Sequence, residues 1–219
     1  MAAAWRGWRG TGRQEIVNAL THGAGVPLAV AGLVVLLWRA LGYGDAGYTV
    51  SVAVYGLSLV AVYAASTLYH GAWSPRLKNV FLWLDHSCVY GLIAGTYTPF
   101  MTTALRGVTG TALLVTVWGL ALLGVLSKTA LRIRALRGDA VSLPVYIGMG
   151  WLIVLAIKPF MAAMEPGGLV LLAAGGLCYS AGVVFFLLRA AWAHAAWHVM
   201  VLAGSGLHYA SVLLYATPR

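Results

Sequence analysis

Residues 46–75 read AGYTVSVAVYGLSLVAVYAASTLYHGAWSP, a stretch without a single Asp, Glu, Lys or Arg. A helix that crosses the hydrocarbon core of a bilayer needs about 20 apolar residues. This stretch is long enough for one crossing and too short for two. On either side of it lie six further uncharged runs of comparable length: 16–38, 86–105, 107–127, 140–157, 166–188 and 190–218. Seven helices of ~21 residues would use about 147 positions, leaving two tails and six short loops in a chain of 219 residues. No room remains for a separate soluble domain. The expected fold class is therefore all-α: a single seven-transmembrane helix bundle over residues 1–219, with spans near 16–38, 48–70, 80–104, 108–127, 140–158, 167–188 and 192–215.

Composition points the same way. Hydrophobic residues make up 61% of the chain and charged residues 9%, whereas soluble domains carry roughly 25% charged residues. Soluble and intrinsically disordered classes are both excluded. The formal charge is +9, but the basic residues are scattered between apolar runs. They read as topology signals and headgroup contacts, and no nucleic-acid partner is expected. With the N-terminus inside, the cytoplasmic segments hold ten Lys and Arg (Arg6, Arg9, Arg13, Arg76, Lys78, Lys128, Arg132, Arg134, Arg137 and Arg189). The outer segments hold four, namely Arg39, Arg106, Lys158 and Arg219. The positive-inside rule then gives N-terminus inside and C-terminus outside, in an integral, multi-pass membrane protein. The segment 128–139 reads as a topology anchor, and Thr102–Thr111 as a tight external turn. No cleaved signal peptide is expected, because the basic stretch before residue 16 leads into a run of spanning length. Cys88 and Cys178 form no CxxC and read as small buried hydrophobes. Pro99 and Pro144 fall inside apolar runs, where they kink or end helices.

Polar groups inside such runs are costly, at about 2.5–3.5 kcal/mol for an Asp at a helix centre, so they mark function. Asp85 is the acidic residue that falls within a span, early in the third. The expected topology brings it to the cytoplasmic level together with His70, at the end of the second span, and His194 and His198, at the start of the seventh. His194 and His198 are four residues apart and share a helix face, as do Ser66 and His70. Two histidines on one helix and a third from another, with a fourth position open, is the pattern of a catalytic zinc site. Asp85 then serves as an acceptor for a water at the open position. His22 and His208 do not join this group: His208 lies roughly 15 Å along the axis from His198 and reads as a buried, hydrogen-bonded residue. His86 points about 100° away from Asp85 and reads as structural.

Three motifs then carry a resemblance: Glu15-Ile-Val-Asn18-Ala-Leu-Thr21-His22; Ser66-Thr-Leu-Tyr-His70 with Leu84-Asp85-His86-Ser87 and Ala94-Gly95-Thr96-Tyr97-Thr98-Pro99; and His194-Ala-Ala-Trp197-His198 with Leu202-Ala-Gly-Ser205-Gly-Leu-His208. Together they span nearly the whole chain, which resembles the hemolysin III family, the bacterial branch of the progestin and adipoQ receptor superfamily. The resemblance implies seven helices with the N-terminus inside, in a bacterial inner (plasma) membrane, and one Zn2+ near the cytoplasmic face. The metal ligands would be His70, His194 and His198, with Asp85 and Ser66 beside them as the catalytic pair. The family is similar to membrane ceramidases, so the implied activity is zinc-dependent hydrolysis of a lipid amide or ester, with a membrane lipid as substrate or ligand. Two alternatives stand beside it: a lipid-sensing, receptor-like protein with structural zinc, and a membrane-perturbing cytolysin. A retinal photoreceptor is disfavoured, because the last run has no Lys for a Schiff base.

Overall fold

The computed structural model describes residues 11–133, 139–188 and 190–218. Arg6, Arg9, Arg134, Arg137, Arg189 and Arg219 of the charge comparison lie outside them. The described residues are helical and contain no strand: α1 (Gly12–Tyr43), α2 (Ala46–Gly71), α3 (Pro75–Thr102), α4 (Val108–Ile133), α5 (Asp139–Gly150), a 3-10 turn (Leu152–Ala156), α6 (Ile157–Ala163), α7 (Pro166–Leu187) and α8 (Ala193–Tyr215). Six of the rods are long and apolar enough to cross a membrane, counting α5 to α6 as one. The remaining expected span, the third, is α3, which has 28 residues but carries Arg76, Lys78, Asp85 and His86. The all-α expectation holds.

Local chemistry sets the corners. Gly44 ends α1 in the left-handed region at φ 67°, and Asp45 then caps α2 by accepting the Tyr48 N–H at 2.9 Å. Gly107, at φ 93°, makes the expected tight turn between α3 and α4. Consecutive helices α1 to α4 pack side by side. α8 closes the bundle against α1, α3 and α7, while α5 leans on α3 and α4.

The fifth span departs from the continuous helix expected over 140–158, and Tyr97 of α3 explains the break. Its hydroxyl donates to the carbonyls of Met149 and Gly150 (3.0 and 3.1 Å) and accepts the Ile153 N–H at 2.9 Å. A side chain has entered the i→i−4 ladder between Met149 and Ile153, a recognised cause of a helix kink. Further along, Pro159 has no N–H to offer the Leu155 carbonyl. Pro144 and Pro99, by contrast, are both accommodated inside helices.

α7 meets the rest of the bundle through glycine. The buried residues of its helix are Gly168, Gly175 and Gly182, seven apart, which lets its backbone approach α8 closely. A Cβ on Gly175 would stand 3.0 Å from the Gly204 carbonyl oxygen and would collide with the His208 ring, whereas a Cβ on Gly206 would meet nothing within 4 Å. Gly175→Leu should therefore destabilise the bundle by about 1–3 kcal/mol or more. Gly206→Leu should leave thermal unfolding in detergent unchanged, and the two melting curves measured side by side check this.

Candidate metal centre

The imidazoles of His70, from the last turn of α2, and of His194 and His198, from the first turns of α8, converge. One ring nitrogen from each lies within 4.8 Å of the other two, and all three side chains are buried. His70 Nε2 and His194 Nε2 are 3.2 Å apart. Tetrahedral zinc with Zn–N bonds of 2.0–2.1 Å sets neighbouring nitrogens ~3.3 Å apart, so the spacing suits a metal of that size.

The outer nitrogens fix which atoms face inward. His70 Nδ1 is 2.8 Å from Glu15 Oε2, and an ionised carboxylate only accepts, so the proton sits on Nδ1 and Nε2 keeps its lone pair. His198 Nδ1 is 3.2 Å from the Asn18 carbonyl oxygen and 3.0 Å from Thr21 Oγ1. The Thr21 hydroxyl itself donates to that carbonyl at 2.9 Å. His198 Nδ1 is therefore the donor, and Nε2 is again the free base. Carboxylate and carbonyl partners of this kind orient metal-binding histidines and raise their basicity. The donor set and its supports fit a divalent metal. Glu15 is steadied in turn by Lys78 of α3, Nζ to Oε1 at 3.1 Å.

Three supports thus come from one face of α1: Glu15, Asn18 and Thr21, spaced three apart. The sequence reading had quoted this motif without giving it a task. The available signal was the spacing, which puts Glu15, Asn18 and Thr21 on one face of α1, although Asn18 acts through its main-chain carbonyl. Gln14 has a separate job, since its side chain accepts the Thr11 N–H at 2.7 Å and completes the capping box of α1.

Asp85 and Ser66 stand next to the three histidines rather than among them. The Ser66 hydroxyl faces the Asp85 carboxyl, and His70 is close enough to act on it electrostatically. Both line a cavity of about 810 Å³ that also touches His22, His194 and His198 and runs on to Phe100, Met101, Phe160 and Met161. Asp85 and Met101 are sixteen residues apart on α3, about 24 Å along its axis. The cavity therefore follows most of a hydrocarbon core ~30 Å thick. Its walls are chiefly apolar, and the histidines, Asp85 and Ser66 lie at the end where α3 begins.

Several expectations need correcting here. His22 stays outside the three-histidine cluster but is not remote from it: its ring stacks on His198 with centroids 3.6 Å apart and planes at 13°. Both His22 and His198 stand on helix faces turned inward, which spacing along one helix could not show. Lys128, expected only as a topology anchor, is buried and reaches inward, its Nζ 3.3 Å from His86 Nδ1. His86 stays outside the three-histidine group, as expected. His208 is hydrogen-bonded, Nε2 to the Leu172 carbonyl at 3.0 Å. Cys88 and Cys178 are free and half-buried rather than fully enclosed.

Residues 11–209 match the family described as haemolysin-III related. The chain belongs to that family. It is 42% identical over 207 residues to "Hemolysin-3" of Bacillus cereus, covering 94% of this chain and 93% of the relative. It is also 42% identical over 204 residues to "Hemolysin-3 homolog" of Bacillus subtilis (strain 168), covering 93% and 94%. A human relative, "Monocyte to macrophage differentiation factor", is 27% identical over 214 residues, covering 94% and 86%. No solved structure matches the chain. Together with the apolar helices, the family makes this a multi-pass integral membrane protein.

The Glu15 contact yields a direct expectation. Glu15→Ala removes the partner of His70 Nδ1 without touching a ligand, and such losses cost about 10–100-fold in metal affinity. Competition with a chromophoric chelator should show that weakening, while Gln14→Ala should leave metal affinity unchanged.

Proposed function

We propose that this haemolysin III-related protein is a zinc-dependent membrane hydrolase acting on the amide or ester of an acyl lipid. The observation that carries the reading is the position of the three-histidine cluster. It stands beside Asp85 and Ser66 at the polar end of a long apolar cavity. His70, His194 and His198 would hold the ion. Bound there, zinc would supply a water of lowered pKa and a Lewis acid for a carbonyl.

The protein's own groups do the rest. Asp85 accepts the proton of the attacking water and later returns it to the leaving group. Ser66 offers its hydroxyl as a donor to oxygen charge that develops on the carbonyl. The apolar walls take the acyl chain and exclude bulk water, which strengthens each of these electrostatic contacts. A lipid substrate or ligand suits the chiefly apolar lining. By charge balance the metal end is cytoplasmic, with the N-terminus inside, in the bacterial inner membrane.

A second reading keeps the metal and drops the turnover. His70 comes from α2 and the other two ligands from α8, with supports on α1. A metal there would cross-link α2 and α8, with α1 tied on through the supporting hydrogen bonds, and would serve stability in a lipid-sensing protein. The two readings separate cleanly. Elemental analysis of detergent-purified protein should give one zinc per chain, and the double variant His194→Ala/His198→Ala should give none. Asp85→Ala should retain the zinc and the wild-type melting temperature while fatty-acid release from N-acyl and O-acyl lipids falls at least a hundredfold. Zinc-loaded wild-type protein that releases no fatty acid from either lipid class would refute the hydrolase and leave the structural metal.

A further inference from the structure

A neutral imidazole has one donor and one acceptor nitrogen, and inside a membrane protein both are expected to find partners. Five of the six histidines have at least one ring nitrogen paired. His70 is held by Glu15, His86 by Lys128, His194 by His70, His198 by Asn18 and Thr21, and His208 by the Leu172 carbonyl. His22 does not. It is 4% exposed, and neither Nδ1 nor Nε2 has a partner in good hydrogen-bond geometry, the His198 backbone lying near the ring without meeting that geometry. Tyr63 meets it only ring to ring, in a T-shaped contact at 5.3 Å.

Among the described residues four others leave a buried side-chain atom without a partner: Asn18, Tyr48, Tyr55 and Ser87. None of the four lines the large cavity, whereas His22 does, alongside Ser66, Asp85, His194 and His198. The stacking contact with His198 needs only a flat ring, which Phe would provide without burying two polar atoms. The choice of an imidazole is a standing cost at this position unless something in the cavity repays it.

From this we infer that His22 is a ligand-recognition residue: its ring N–H donates to an acyl oxygen, carbonyl or carboxylate, of a lipid whose chain lies in the apolar cavity. The inference rests on the acyl-lipid reading above and adds a contact that is separate from the metal. His22 stands one ring thickness from His198 and holds the head of the ligand at a fixed offset from the ion. The apolar tube beyond Asp85 and Val89 receives the tail.

The probe is oleate, the simplest amphiphile that offers such an oxygen, titrated into the zinc-loaded protein in detergent. His22→Phe keeps the flat ring and removes both nitrogens. It should retain one zinc per chain and a melting temperature within a few degrees of wild type, yet bind oleate at least tenfold more weakly. His22→Gln, which restores a donor, should recover most of that loss. Unchanged oleate affinity in His22→Phe overturns the inference, as does loss of zinc in that variant, which would make His22 a support for His198. No oleate binding by wild-type protein overturns the acyl-lipid reading itself, and this inference with it. A measurement on unmutated protein is independent of folding in the variants. With 15N-labelled imidazoles, oleate should shift the ring-nitrogen resonances of His22 and leave those of His208 in place. A stationary His22 signal overturns the inference.

Discussion

A bilayer interior offers no water to satisfy a polar group, so every such group placed there must find its partner within the protein. The pairing of His70 with Glu15 is where this constraint bears hardest. Glu15 joins three helices at once, since it sits on α1, accepts from His70 of α2 and is braced by Lys78 of α3. It also fixes the tautomer of His70, and with it the direction of the lone pair that faces His194. Structure and chemistry are thus not separate demands at this site. The hydrogen bond that makes a carboxylate tolerable in the first helix is the one that turns the His70 lone pair toward the other two histidines.

The same economy shapes the cavity. Tyr97 could not leave its hydroxyl unpaired beside α5, and it resolves this by entering the backbone ladder of the fifth span. The span breaks there into α5, a 3-10 turn and α6. Met149, Gly150 and Ile153 keep their hydrogen bonds, but the helix no longer runs as a straight rod. Trp151, at the break, reaches across to α7 and donates to Ser180 Oγ at 3.1 Å. α7 itself is drawn to α8 by its glycine seam. The space between the broken span and the α7–α8 pair is what the apolar cavity fills, and Gly150, Trp151, Gly176 and Ser180 all line it.

Much of this was legible before any coordinates. Seven uncharged runs gave seven rods, because hydrocarbon thickness sets helix length. The four-residue spacing of His194 and His198, with the level of His70 and Asp85 inferred from charge balance, was enough to pick the convergent set. The positions that escaped notice share a physical reason. His22 looked isolated because its neighbour, His198, is 176 positions away in the chain. Lys128 looked like a loop charge because nothing local says whether a long side chain at a helix end turns outward or in. The break in the fifth span was hidden because its cause, Tyr97, belongs to another helix.

The sequence alone determined what depends on length and on period: how many rods the chain forms, which residues share a face, and which polar groups are too costly in lipid to be idle. Tertiary packing decided the relations between faces: that Glu15, Asn18 and Thr21 stand behind the histidines, that His22 stacks on His198, and that a hydroxyl from α3 interrupts the fifth span. Periodicity fixes a residue's angle on its own helix. The rotation of one helix against another is set only when the side chains of both are packed and their polar atoms paired.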